Sequence, residues 1–289
     1  MSASEIRLAE RVVDTARYPL PEPDGAGWRA AVQRIRAELS EAGCSVLSDF
    51  IRPGARAELR RESATVAPEA YYRAETVNAY NIAVDDTLPA DHPARIPVRR
   101  GNAFVARDQI PQRHLIHRLY TSRLFQRFVA DCFELPRLYP LADPLSGLCL
   151  NVVTPGMEHP WHFDTNEYTV SLLTQEPRSG GVFEYCPGIR SAADENLGQV
   201  RDVLTGGGER LIRRLTLRPG DLQLFKGRYS LHRVSPVTGG TARHTAIFAY
   251  SERPDVVGSA ERTRQLFGRV LPEHRTADGR AVRVDQLLD

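Results

Sequence analysis

The run Pro160-Trp161-His162-Phe163-Asp164, continued by Tyr168-Thr169-Val170-Ser171-Leu172-Leu173, constrains this chain more than any other stretch. Its second half is rich in β-branched and apolar residues, which favours strand over helix. Residues two apart on a strand share a face, so His162 and Asp164 can offer an imidazole nitrogen and a carboxylate oxygen to one ion. A lone His-x-Asp recurs by chance, and the weight here comes from a second stretch, Tyr229-Ser230-Leu231-His232 through Arg243-His244-Thr245. His232 completes two histidines and one carboxylate, the set that holds non-haem ferrous iron and leaves positions open on it.

Strand-like runs flank Gly239-Gly240, the pattern of an antiparallel hairpin. With that pair as the turn, the residue opposite His232 is near Ile247, and Arg243 lies about 13 Å further along at the usual strand rise. An arginine side chain plus a short dicarboxylate spans that gap. Thr245 falls on the same face as Arg243 and can add a hydroxyl to the same carboxylate. A guanidinium grips a carboxylate with two parallel hydrogen bonds.

His162-x-Asp164, His232 and Arg243 together resemble the iron and 2-oxoglutarate dependent oxygenases. The resemblance implies a double-stranded β-helix, or jelly roll, mainly β with flanking helices. The longer run Trp161-His162-Phe163-Asp164, Val170-Ser171-Leu172-Leu173 and Gly180-Gly181-Val182-Phe183-Glu184-Tyr185 is similar to a narrower branch, the radical halogenases and hydroxylases of free amino acids such as lysine. In the halogenases a small residue replaces the carboxylate ligand so that chloride can bind iron. This chain keeps Asp164, which implies hydroxylation or another oxygenase outcome. The implied cofactors are Fe(II), the co-substrate 2-oxoglutarate and O2. His162, Asp164 and His232 are the expected metal ligands and catalytic centre, and Arg243, Thr245 and Asn151 the expected contacts of 2-oxoglutarate.

A chain of 289 residues can be one large β-rich domain or two small ones, and length alone does not choose; the resemblance implies a single oxygenase domain. The expected division is helices and a substrate cover over 1–147, a jelly-roll core over 148–250, and a C-terminal helix and tail over 251–289. There is no long apolar run, and Met1 to Arg17 lacks the basic cluster and apolar stretch of a signal peptide, so a cytoplasmic protein without a membrane partner is expected. The four cysteines form no Cys-x-x-Cys, against a zinc knuckle or disulfide framework. Acidic and basic residues are interleaved to a net +2, without the concentrated basic face that nucleic acid requires.

Along the chain, residues up to Gly27 read as a tail or linker, dotted by Pro19, Pro21 and Pro23. Trp28, Val32, Ile35 and Leu39 give a helix that Gly43 ends. Cys44 to Leu47 reads as a strand and Ala55 to Ala64 as a helix. Residues 68–110 are irregular and are expected to cover the barrel mouth. Leu115 to Val129 gives one helix, or two broken near Thr121-Ser122. Leu148 to Val153 starts the barrel, Asp194 to Leu204 is a helical insert, and Leu215-Thr216-Leu217 with Leu222 to Phe225 reads as a hairpin around Arg218 to Asp221. Arg243 to Tyr250 is the last barrel strand and Ala260 to Phe267 a helix that packs on the barrel or covers the site.

A small-molecule substrate, an amino acid, is the expected partner. His159, Asp143, Tyr80, Arg99, Arg100 and Asn102 are the candidate substrate contacts: His159 by its place in the amino-acid branch, Asp143 as partner for an amine, the other four from the irregular cover. His114 and His117 have no ligand partner at useful spacing and are expected to be surface or packing residues. Two other readings stay open, a hydroxylase of peptide or protein side chains and a jelly-roll protein that holds metal without redox chemistry.

Overall fold

The computed structural model describes residues 2–277 together with 285, 287 and 288. The chain opens with α1 (Ala3–Val12), started by a capping box in which the Ser2 hydroxyl accepts from the Glu5 amide and the Glu5 carboxylate accepts from the Ser2 amide. A tail before Trp28 is therefore not what forms. Leu8, Ala9 and Val12 make one buried helical face, and Tyr18 and Leu20 are buried beyond it. The prolines sit in the turn after this helix rather than in a linker. Next, α2 (Ala26–Ala42) buries Trp28, Val32, Ile35 and Leu39 and ends where Gly43 takes φ 64°. After β1 (Cys44–Leu47) comes α3 (Pro53–Val66).

The segment expected to be irregular holds β2 (Glu75–Val77) and β3 (Val98–Arg100), which pair with each other, and β4 (Ala103–Val105). Ser122 separates α4 (Leu115–Thr121) from α5 (Arg123–Cys132) and caps the second, accepting from the Phe125 amide. Then follow β5 (Tyr139–Pro140), β6 (Leu148–Val153), β7 (His159–His162), β8 (Thr169–Gln175), β9 (Ser179–Gly180), β10 (Phe183–Cys186) and α6 (Leu197–Leu204). The rest is β11 (Arg213–Leu215), β12 (Leu222–Phe225), β13 (Leu231–Val234), β14 (Val237–Thr238), β15 (Arg243–Ser251), α7 (Ala260–Phe267) and α8 (Pro272–Ala277).

Two sheets face each other as a jelly roll. The larger runs β1-β12-β8-β15-β6-β4, with β5 also on β15; the smaller runs β11-β10-β13-β7. This order overturns two expected hairpins. Leu215 pairs with Phe183 while Leu222 pairs with Leu47 and Leu172, so the turn at Arg218 to Asp221 carries the chain from one sheet to the other. Likewise β13 never pairs with β15; its neighbours are β10 and β7, and the chain crosses through β14 on its way to β15. A short turn read from sequence fits either a hairpin or a corner between packed sheets, and here the two-sheet closure wins.

Alternation along the larger sheet separates two environments. Leu148, Leu150, Val170, Leu172, Ala246 and Phe248 pack under the helices with Trp28, Phe125 and Phe128. Their neighbours Asn151, Arg243, Thr245 and Ile247 turn to the other face, toward the smaller sheet. His244 lies on the helix side: it is buried, its Nδ1 has no hydrogen-bond partner, and burial pushes its pKa down to about 4. A histidine held neutral in the fold but free to charge when unfolded stabilises the fold above its unfolded pKa of about 6.5. That stability is lost as pH falls from 6.5 toward 4. In metal-free protein the acid limb of the stability profile should therefore flatten by one proton, about 1.4 kcal/mol per pH unit, in His244→Gln. Denaturant melts at stepped pH measure this, and an unchanged slope would contradict it.

Candidate metal centre

The metal centre is built on one cross-strand pair. His162 on β7 stands directly opposite His232 on β13, and the two imidazole centroids are 4.1 Å apart. The hairpin expected from the sequence puts Ile247 opposite His232; in the smaller sheet His162 stands there instead. Asp164 lies two residues beyond His162, just past the end of β7, and its Oδ1 is 3.6 Å from His162 Nε2 and 3.5 Å from His232 Nε2. The three ligand atoms lie within 4.8 Å of one another, the only such cluster among the described residues.

Each ligand is held by its neighbours. His162 Nδ1 meets the Pro160 carbonyl at 2.7 Å and His232 Nδ1 the Ser230 carbonyl at 2.9 Å, so Nδ1–H donates backward and the Nε2 lone pairs face inward. Burial and the neighbouring His232 lower the His162 pKa, which keeps the ring neutral and ligand-ready. Burial alone would raise the Asp164 pKa, but His232 and His162 outweigh it and hold the carboxyl well below its usual range. Thr169 donates to Asp164 Oδ2 at 2.5 Å, and the Asp164 amide donates to the Gly227 carbonyl at 3.2 Å. Gly227 has to be glycine: a Cβ there would lie 2.7 Å from Asp164 Cγ. Two neutral imidazoles and one carboxylate on one face are the donor set that suits ferrous iron, and no geometry here opposes it.

The neighbouring face of the larger sheet fits the co-substrate. Arg243 is buried and donates through Nη1 to Thr245 Oγ1; burial lowers its pKa to about 10, and no carboxylate among the described residues pairs with it. Asn151 stands opposite Thr245 in the sheet, accepts from Asn102 Nδ2 at 2.9 Å and lies 3.2 Å from His159 Nδ1. A cavity of about 220 Å³ between Glu176–Phe183 and Leu215–Leu217 reaches Arg243 from outside.

The expected substrate contacts divide. His159 stacks on His162 at 3.9 Å, beside the metal, and burial keeps it neutral. Asn102 is buried with an unpartnered Oδ1, and Arg100 is buried with Nε and Nη1 unpartnered, while its Nη2 donates to Glu75 at 2.9 Å. Arg99 is exposed on the other face of β3, because the strand alternates. Tyr80 packs behind the metal strand against Phe163 at 5.4 Å rather than beside His162, since Phe163 points opposite to its neighbours. Asp143 is not a pocket residue either. It is fully buried, takes the amides of Leu145, Ser146 and Gly258, and lies 3.2 Å from His274 Nε2, which leaves it nothing to offer an amine. His114 and His117 are buried packing residues. Arg262 on α7, half-buried and donating to Asn81, also lies in this region; the helix is legible in the sequence, but an arginine on a short amphipathic helix carries no sign of which neighbours it meets.

Gly227→Ala should cost at least tenfold in iron affinity while leaving the protein folded, measured by metal titration alongside a thermal melt. Full iron affinity with alanine present would show that Asp164 is not held as described.

The profile of the family described as Halogenase D matches residues 28–267. No curated protein sequence matches the chain. Among solved structures, the carbocyclase SnoK from nogalamycin biosynthesis superposes with a TM-score of 0.51 at 14% identity, over 75% of this chain and 83% of its own. The epimerase SnoN, in complex with Fe3+, alpha ketoglutarate and nogalamycin RO, gives 0.51 at 16% over 77% and 84%. A Trichoplax adhaerens prolyl hydroxylase in complex with a peptide fragment gives 0.50 at 15% over 78% and 90%. At these identities the structures establish a shared fold. The family match over most of the chain, joined to the His162–Asp164–His232 cluster, places this protein in the Halogenase D family of iron and 2-oxoglutarate dependent oxygenases.

Proposed function

We propose that this protein hydroxylates, or otherwise oxidises without halogenating, an unactivated C–H bond of a free amino acid. The observation that carries the reading is Asp164. A halogenase needs an open iron position for halide, and here that position is taken by a carboxylate locked by Thr169 and accommodated by Gly227. Bound by His162, Asp164 and His232, iron with 2-oxoglutarate and dioxygen supplies the oxidant for the C–H bond. The chain's own residues bind, orient and exclude water.

Arg243 and Thr245 anchor the far carboxylate of 2-oxoglutarate, with Asn151 beside them. His159, Asn102 and Arg100 face the substrate side: a neutral imidazole over His162, an amide oxygen with no partner, and two unpartnered guanidinium nitrogens. Ile247 packs with Phe104 and Phe267 in an apolar wall next to them, suited to an aliphatic stretch. A site with charged and amide groups above an apolar wall favours a small amphoteric molecule over a peptide laid across an open groove.

The test is a screen of free amino acids with Fe(II), 2-oxoglutarate and chloride, read by mass spectrometry. A gain of one oxygen or loss of two hydrogens is expected, with no chlorinated product. Asp164→Ala should abolish oxidation, and turnover that survives it without added halide would refute the role given to Asp164. Arg243→Gln should raise the KM for 2-oxoglutarate at least tenfold, since a buried charged hydrogen bond is worth about 1.5–3 kcal/mol; an unchanged KM would move the co-substrate elsewhere.

A further inference from the structure

Burial lowers the pKa of four arginines, Arg100, Arg190, Arg243 and Arg262, of which the first three are buried and Arg262 is half-buried. An enclosed guanidinium is costly unless an anion meets it. Arg190 has Glu195 at 3.0 Å and Arg100 has Glu75 at 2.9 Å. Arg243 and Arg262 have no carboxylate partner among the described residues. The co-substrate accounts for Arg243. Nothing described so far accounts for Arg262.

Arg262 rides on α7, whose Ser259 caps the helix by accepting from the Arg262 amide at 3.2 Å. The helix is laid over the site: Phe267 meets Phe104 at 6.4 Å between centroids, and Phe104 meets His159 at 6.0 Å, edge to face. The Arg262 guanidinium is oriented by neutral acceptors only. Its Nη1 donates to Asn81 Oδ1 at 3.2 Å and to Gln265 Oε1, while Nε and Nη2 make no hydrogen bond among the described residues. Asn81 belongs to the loop whose Ala79 carbonyl accepts from the Phe163 amide at 2.9 Å, one residue from His162. The Gln265 carbonyl accepts from Arg100 Nη2 at 2.8 Å, so one helix ties the two guanidinium groups together. Asp164, Glu75 and Arg100 are all close enough to act electrostatically on Arg262. Of these two acids Glu75 is already paired with Arg100 and Arg73, and Asp164 belongs to the metal cluster, so neither meets the Arg262 guanidinium at contact distance.

We propose that Arg262 is a substrate-binding residue which, with Arg100, receives a carboxylate of the substrate, so that α7 completes the pocket and the enzyme selects acids over their neutral amides. This deepens the amino-acid reading and rests on it. Asn81 and Gln265 aim the guanidinium without neutralising it, which leaves its charge for the incoming anion. The apolar Ile247 wall then faces the aliphatic part of the molecule.

The experiment compares free amino acids with their carboxamides, using the full chain with Fe(II) and 2-oxoglutarate. Acids should be consumed and amides not. Arg262→Gln should raise the KM for the acid at least tenfold with the KM for 2-oxoglutarate within twofold, and Arg262→Lys should recover part of the loss. Asn81→Asp gives Arg262 a carboxylate of its own and should raise the same KM without removing the guanidinium. It keeps the test decisive if Arg262→Gln folds poorly. An unchanged KM in both Arg262→Gln and Asn81→Asp, or amides consumed as well as acids, overturns the proposal while leaving the amino-acid reading intact. Should no amino acid be consumed, thermal melts with Mn(II) and 2-oxoglutarate, titrated with acetate, propionate and butyrate, separate the two ideas. Stabilisation that disappears in Arg262→Gln upholds the carboxylate subsite and rejects the amino-acid reading; no stabilisation, or stabilisation that persists in the variant, rejects both.

Discussion

The pairing of His162 with His232 across β7 and β13 is the contact on which the rest of the site depends. Side chains directly opposite in an antiparallel pair point to the same face, so one register choice brings two imidazoles together without any loop having to find its place. A slip of one residue in either strand would turn its own ring to the opposite face and part the pair. The register breaks immediately beyond, between His232 and Val234, and by then the two ligands are already set. Asp164 needs a different device because it lies past the strand end. There Thr169 from the next strand and the open volume at Gly227 do for the carboxylate what the ladder does for the imidazoles.

The second constraint is charge drawn away from water, fully at Arg243 and in part at Arg262. Arg243 and Arg262 sit at different stations along the same strand surroundings, Arg243 at the start of β15 and Arg262 on the helix whose Phe267 covers Ile247. Neither pairs with an acid among the described residues, which leaves each guanidinium able to take a bound anion. Binding energy of this kind positions the reacting parts before chemistry begins. The contrast with Arg190 and Arg228 is instructive. Arg190 stacks 3.8 Å above Phe163 and pairs with Glu195, and Arg228 pairs with Asp285 while donating to the Thr165 carbonyl. Those two brace the back of the metal strand and the loop after Asp164; they have partners already.

Much of the site was legible from spacing. His-x-Asp, a distant histidine and an arginine with a threonine two residues on are a pattern that strand periodicity makes physical, and β6, β8, β10 and β15 follow from β-branched runs bounded by glycine and proline. What spacing misjudged was partnership. Sequence neighbours around Gly239-Gly240 and Arg218 to Asp221 read as hairpins because a turn signal states where a chain bends, without naming the strand that receives it. The same limit hid α1, where polar positions outnumber a narrow buried stripe. It also let Tyr80 and Asp143 pass as pocket residues: a tyrosine or an aspartate in a loop looks the same whether it meets substrate, the back of a strand or three backbone amides.

The cavity that reaches Arg243 opens between the segment after β8 and the end of β11, whereas α7 lies over the other stretch of β15. The two ends of β15 are thus walled by different parts of the chain, so a substitution in α7 can reshape one without touching the lining of the other.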